Sequence, residues 1–131
     1  MLLVIDTDAY RIEAALELAA VFPAALPAAE IARRRGVPRQ FLARLLSGMV
    51  STGVVATSRG PNGGARLSRP PREVALSELL RPEPAPSVGG SAVRWLAGAL
   101  AAAERDTLES LTLGTLLDRE REQNTPGDWA I

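Results

Sequence analysis

The sequence predicts a mainly α-helical fold with one small β-hairpin, and three observations carry that prediction. Apolar residues make up 47% of the chain, yet Phe, Trp and Tyr together make up only 4%. Burial must therefore come from close packing of helices rich in Ala and Leu rather than from large aromatic side chains. Apolar positions recur at helical spacing along most of the chain, between Pro, Gly, Asp, Thr and Ser residues that can open or close a helix. Only residues 54–68 hold two short runs of strand-forming residues around a turn-rich centre.

The first helix is expected from residue 7 or 8 to about residue 22, capped by Asp6 or Thr7, with Ile12, Ala15, Leu16, Ala19 and Phe22 as its buried stripe. Tyr10 belongs at the edge of that packing. Residues 26–36 read as a short second helix, with Pro27 in the first turn and Gly36 at its stop, where a left-handed backbone suits glycine. A third helix opens at once. Pro38 fits its first turn, Phe41, Leu42, Leu45, Leu46, Met49 and Val50 recur as a buried stripe, and Gly53 ends it. Two helices joined by so few residues cross steeply; small Ala32, Gly36 in the turn, and apolar Val37, Leu42 and Leu45 suit that crossing. This is a helix-turn-helix pattern.

Residues 54–57 and 65–68 then read as two strands joined by a hairpin containing Asn62-Gly63, which would form a wing beside the third helix. The run Gly60-Pro61-Asn62-Gly63-Gly64 also resembles a phosphate-cradling loop, but no helix opens after it and the chain has no Lys. The hairpin reading is preferred. Residues 91–110 predict a long helix capped by Ser91, with Val93, Leu96, Leu100, Ala103 and Leu108 apolar; it is too apolar to stand alone and should pack against a second copy. Residues 112–121 predict a short last helix and 123–131 a mobile tail.

Charge is distributed unevenly along a chain whose net charge is zero. Residues 31–72 hold nine Arg and no acidic residue, residues 1–30 one Arg against five Asp and Glu, and residues 73–131 five Arg against ten. A basic block of this kind either meets phosphate or is a solvated face. If the third helix enters a DNA major groove, the face opposite its apolar stripe presents Arg39, Gln40, Ala43, Arg44 and Ser47. Arg pairs bidentately with guanine and Gln with adenine, whereas Ala43 offers apolar contact to a thymine methyl. Arg33, Arg34 and Arg35 lie on the preceding helix, placed either for backbone phosphate or as a solvated helix end against the C-terminal dipole. Arg59 and Arg66 lie on or beside the wing.

The absences are equally informative. Without Cys or His, the thiolate and imidazole ligands of zinc and iron–sulfur sites are missing, and without Lys most activated nucleophiles are missing too. No pair of acids sits in an apolar setting that would separate their pKa values, so no enzyme, metal site or cofactor is expected. Residues 1–5 are apolar but too few for a signal peptide or membrane span, and a cytoplasmic location is expected.

These residues resemble the Rrf-type winged helix-turn-helix regulators of bacteria, the family of IscR, NsrR and CymR. The likeness rests on Glu30-Ile31-Ala32 followed by Gly36-Val37-Pro38, on residues 41–47 (Phe-Leu-Ala-Arg-Leu-Leu-Ser), on Gly53-Val54-Val55, and above all on residues 58–64 (Ser-Arg-Gly-Pro-Asn-Gly-Gly) leading to residues 67–71 (Leu-Ser-Arg-Pro-Pro). It continues through residues 74–80 and returns at residues 110–117. The resemblance implies a homodimer on a dyad-symmetric operator in double-stranded DNA, and the leading reading is a transcriptional regulator of the repressor kind. It places the helix that begins near Pro38 in the major groove and Arg59 of the wing in the minor groove.

The expected DNA contacts are Pro38, Arg39, Gln40, Ala43, Arg44, Ser47, Arg59, Gly60, Asn62 and Arg66. The implied organisation is a winged helix-turn-helix domain over 1–80, a linker over 81–90, dimerisation helices over 91–121 and a tail over 122–131. Three points set the chain apart within the family, the first being that recognition helices vary at the base-reading positions, so Gln40, Ala43 and Arg44 imply a target sequence of their own. Cluster-binding members carry cysteines in the linker, which here has none, and basic residues often precede the first helix, where this chain has Asp6 and Asp8. No effector is identified by the linker. The competing reading is a winged-helix interaction module whose basic face docks an acidic protein partner.

Overall fold

The computed structural model describes residues 6–80 and 86–124. Its elements run α1 (Asp6–Val21), α2 (Ala28–Arg35), α3 (Arg39–Ser51), β1 (Val55–Ser58), β2 (Gly64–Leu67), two 3-10 turns (Pro71–Glu73 and Leu76–Glu78), α4 (Ser91–Ser110) and α5 (Leu113–Gln123). The expected class, helices with one antiparallel hairpin, is what forms. Residues 1–5, the first half of the expected linker (81–85) and residues 125–131 of the expected tail lie outside the described residues.

Small side chains let the helices approach closely. Ala14, Ala15, Leu16, Leu18 and Ala19 of α1 are buried against Ile31 and Ala32 of α2 and Leu42, Leu45, Leu46 and Met49 of α3. The α1 stripe is therefore shifted from expectation. Ala14 and Leu18 are buried in it, while Ile12 and Phe22 pack only at its edge. Asp6 is the first residue of α1 rather than a cap before it.

Gly36 stops α2 with φ 65° and ψ 29°, a left-handed conformation that frees its N–H to bond Ala32 O. Pro27 and Pro38 stand as the caps preceding α2 and α3 rather than inside their first turns. Two members of the expected α3 stripe face outward: Phe41 is 41% exposed and Val50 40%. Phe41 instead stacks on Tyr10 of α1, with ring centroids 6.2 Å apart, so an aromatic pair at the helix edge explains its apolar character.

The wing strands pair Val55 with Leu67, Ala56 with Arg66, Thr57 with Ala65 and Ser58 with Gly64. Both strands begin one residue from where their composition placed them. Leu26, just before α2, adds a bridge to the outer edge of β2: Leu26 N–H donates to Ala65 O, and Ala65 N–H to Leu26 O, each at 2.8 Å. Nothing in the local sequence of Leu26 signals a strand, because the partner is 39 residues away.

Beyond the wing, Leu76 N–H donates to Leu111 O (2.9 Å) and Leu113 N–H to Val74 O (2.8 Å), which seats the start of α5 on the domain. Thr112 caps α5, its hydroxyl accepting from Thr115 N–H at 3.1 Å, and Leu113, Gly114 and Leu117 are buried. Gln123, expected in the tail, ends this helix. Ser91 is the first residue of α4, which Gly90 precedes without a side-chain cap. Within α4 only Leu108 is buried; Val93, Trp95, Leu96 and Leu100 are exposed, Trp95 to 73%.

Two glycines make opposite predictions. Gly64 has φ +139°, and a Cβ there would lie 2.1 Å from Leu26 O, so Gly64→Ala must open the Leu26 bridge. It should lower stability by at least about 1–3 kcal/mol from backbone strain alone. Gly48 lies inside α3 with nothing within 4 Å of an added Cβ, so Gly48→Ala should raise stability by up to about 1 kcal/mol. Urea denaturation of both variants checks the pair, and equal midpoints would contradict the account.

Candidate nucleic-acid interface

The fold divides the nine arginines of the basic block into two groups. Five are neutralised by acidic residues that the sequence places outside the block. Arg35 is the most enclosed: its Nε donates to Glu17 Oε1 (2.9 Å), Nη1 to Glu13 Oε2 (3.0 Å) and Glu120 Oε2 (2.5 Å), and Nη2 to Glu120 Oε1 (2.9 Å). One guanidinium thus joins α1, α2 and α5. Arg34 donates to Glu30 (2.8 Å) and Glu17 (3.1 Å), and Arg33 pairs with Glu30. Arg69 pairs with Glu78, and Arg72 donates to Asp118 at 2.6 Å.

The guanidinium groups of Arg33, Arg34 and Arg35 thus all have carboxylate partners in this chain, Arg33 in its own helix, Arg34 both there and on α1, and Arg35 on α1 and α5. The helix-end reading is incomplete, because it did not foresee Glu13, Glu17 and Glu120. Nor is the basic block as a whole unopposed. Acidic neighbours distant in sequence converge on it.

Arg39, Arg44, Arg59 and Arg66 form the second group. Among the described residues, none of them has a carboxylate within ion-pairing distance, and all four are exposed. These are the arginines of the expected contact set. On α3, Arg39, Gln40, Ala43, Arg44 and Ser47 are exposed and Pro38 is half-buried before the helix. Gln40, Arg44, Ser47 and Ser51, spaced four, three and four residues apart, make one line along the middle of that exposed face. Ser51 and Gly48 extend the surface and were not selected from the sequence, although helical spacing from Arg44 and Ser47 points to both. Ser51 Oγ donates to Ser47 O at 3.1 Å.

On the wing, Ala65 and Leu67 are buried, so strand alternation puts Arg66 between them on the outer face. Arg59 follows β1, and Arg59, Gly60, Pro61 and Asn62 are exposed. The turn is tight: Gly63 N–H donates to Gly60 O at 2.9 Å, and a Cβ on Gly63 would stand 2.5 Å from Ser58 O. A narrow loop with an unpaired guanidinium at its base can enter a groove or bind phosphate. Among the described residues there is no group of three or more His, Cys, Asp or Glu side chains placed to hold a metal ion.

The ion pairs also set acid sensitivity. Hydrogen bonds from Arg33 and then Arg34 hold the Glu30 carboxyl at about 2, and the hydrogen bond from Arg35 holds Glu120 below its ordinary value. Carboxyls lowered in the folded chain contribute stability that is present above their unfolded pKa and lost as pH falls through the folded one. Thermal unfolding should therefore be flat from neutral pH to about 5 and decline steadily below about 4. Glu120→Gln should lower stability at pH 7 but flatten that acid decline, whereas Arg44→Ala should change stability by no more than about 0.5 kcal/mol. An unchanged acid profile in Glu120→Gln would count against the assignment.

Comparison with known proteins adds to this geometry. The family model Rrf2, described as an iron-dependent transcriptional regulator, matches residues 7–119. An rrf2-like HTH-type transcriptional regulator of Rhodobacter capsulatus is 45% identical over 76 residues, covering 55% of this chain and 51% of that protein. The HTH-type transcriptional regulator IscR of Aliivibrio salmonicida is 38% identical over 55 residues, covering 42% of this chain and 33% of that protein. The chain thus spans between a third and about half the length of these curated relatives. Two solved structures share the fold: T. potens IscR, with TM-score 0.83 and 24% identity over 98% of this chain and 96% of that one, and B. subtilis CymR, a global cysteine regulator, with TM-score 0.73 and 24% identity over 91% and 98%.

Proposed function

The chain belongs to the Rrf2 family of transcriptional regulators, and on that premise we propose that it is a homodimeric repressor that binds a dyad-symmetric operator in duplex DNA without an iron–sulfur cluster. One observation supports the DNA reading above the others. Of nine arginines in the basic block, the four left without carboxylate partners lie on the exposed face of α3 and on the wing. Arg39, Gln40, Ala43, Arg44 and Ser47, following Pro38, read base edges in the major groove. Arg59, Gly60 and Asn62 of the wing tip address the neighbouring minor groove, and Arg66 binds phosphate. No helix among the described residues is long and apolar enough to cross a membrane, in keeping with a regulator that works in the cytoplasm.

The homodimer is supported by α4. Its buried Leu108 packs in the core of its own domain, while Val93, Leu96, Leu100 and Ala103 form an exposed stripe. An apolar stripe of that length suits a second copy of the same helix. Two winged domains held at fixed separation then read half-sites about one helical turn apart and add their phosphate contacts. The cluster-free reading rests on donor chemistry. The family description names iron, but this sequence has neither Cys nor His, so the ligands an iron–sulfur cluster needs are not supplied by it.

Binding to random-sequence duplex DNA should weaken linearly on a log–log plot against salt, because each phosphate contact releases counterions. Four unpaired arginines per protomer set the steepest slope at about −7 for a dimer. An Arg39→Ala, Arg44→Ala, Arg59→Ala triple variant should lose most of that binding; equal low-salt affinity in parent and variant would refute the DNA reading and favour an acidic protein partner. Light scattering at micromolar concentration should give a dimer, and Leu96→Glu should give a folded monomer. A parent chain that is strictly monomeric would rule out the role assigned to α4.

A further inference from the structure

The entry and exit of the wing are held by different means. Leu26 bridges the middle of β2, and Ser68 N–H donates to Val54 O at 2.9 Å, which closes the ladder at the wing's base. One residue further, Arg69 leaves the sheet and reaches across the first 3-10 turn. Its Nη1 donates to Glu73 O (2.7 Å) and Glu78 Oε2 (3.3 Å), and its Nη2 to Glu78 Oε1. The same Oε2 of Glu78 also accepts from Ala75 N–H at 2.9 Å.

Glu78 ends the second 3-10 turn, and that turn is a joint. Leu76 N–H donates to Leu111 O immediately after α4 (2.9 Å), Leu79 O accepts from Arg11 of α1 (3.3 Å), and the turn packs against α4, whose Leu108 is buried there with Leu76, Leu79 and Leu80. Beside the buried core that wing and α4 share, the Arg69–Glu78 ion pair links the exit of the wing to the turn that seats α4. The pairing is firm enough that the Arg69 hydrogen bond holds the Glu78 carboxyl below its ordinary value.

We propose that Arg69 and Glu78 are positioning residues for DNA binding, tying the exit of the wing to the seat of α4 so that Arg59 and Arg66 stay in register with the helix that carries the second copy. Neither residue touches DNA in this account. The proposal rests on the reading of the wing and α3 as a duplex-binding surface, and it assigns a task to two arginine-block and flanking residues which that reading leaves unused. Gln at position 78 would still accept from Ala75 N–H while giving up the charge that holds Arg69.

The test is a double-mutant cycle on affinity for a random-sequence duplex at low salt, followed by fluorescence anisotropy. Arg59→Ala should weaken binding about tenfold in the otherwise unmodified protein, but only about twofold in a Glu78→Gln background, because a wing already out of register has less to lose. Arg44→Ala on α3 should cost the same factor in both backgrounds, which separates a displaced wing from a generally loosened fold. If Glu78→Gln does not fold, Arg69→Gln closes the same cycle from the other partner. Equal Arg59→Ala costs in both backgrounds overturn this proposal alone. An Arg59→Ala protein that binds as well as its parent overturns it together with the wing's part in DNA binding.

Discussion

Pairing between carboxylates of the chain's ends and arginines of its middle is the interaction on which the surface depends. Taken along the sequence, the middle is basic and the ends acidic; taken in space, Glu13 and Glu17 of α1, Glu30 of α2, and Asp118 and Glu120 of α5 fold onto Arg33, Arg34, Arg35 and Arg72. Exposed ion pairs of this type contribute little each, but Arg35, mostly enclosed between α1 and α5, is not in that class. Its burial without carboxylates would carry a desolvation penalty that the hydrophobic contacts of α5 would have to offset. The same pairing has an electrostatic consequence at long range. Within the basic block it leaves guanidinium groups without carboxylate partners on α3 and the wing, so a chain of zero net charge still presents a local cluster of positive charge there.

Backbone constraints aim that cluster. Gly36 turns the chain between α2 and α3, and Gly64 lets the strand pass within contact distance of Leu26. Each is a position where an L side chain would be strained. The α3 face follows from them, because burial of Leu42, Leu45, Leu46 and Met49 rotates Gln40, Arg44 and Ser47 outward. The outward face of α3 is thus a by-product of core packing in α3 and of turn chemistry at its two ends.

Local signals made much of this legible in the sequence. Helical periodicity located the helices, Gly36 and the Asn62-Gly63 turn located the chain reversals, and the residues opposite the α3 stripe are the exposed ones. What periodicity could not give is anything set by a distant partner. Phe41 fits the apolar stripe by spacing, yet Tyr10 draws it to the edge. Leu26 carries no strand signal and pairs with Ala65 across 39 residues. Arg34 and Arg35 have the same composition as a phosphate-binding patch; only the placement of distant Glu17 and Glu120 shows that they pair within the chain, while Arg33 pairs with Glu30 in its own helix. The 3-10 turns between wing and α4 were invisible for a related reason, since they are too short to have a period of their own.

The apolar stripe of α4 bears on how the family's fold forms in a sequence with neither Cys nor His. A helix of 20 residues that buries only Leu108 in its own domain gains little from intrachain packing, so most of its length must be stabilised by something outside it or by helical propensity alone. Ala at many positions supplies propensity, but Val93, Leu96 and Leu100 exposed together do not serve it, and they cost solubility. Their arrangement on one line is what an association surface requires. That surface makes no demand on cysteine or histidine. The exposed stripe of α4 and the donor set of a metal cluster are therefore separate requirements on the sequence.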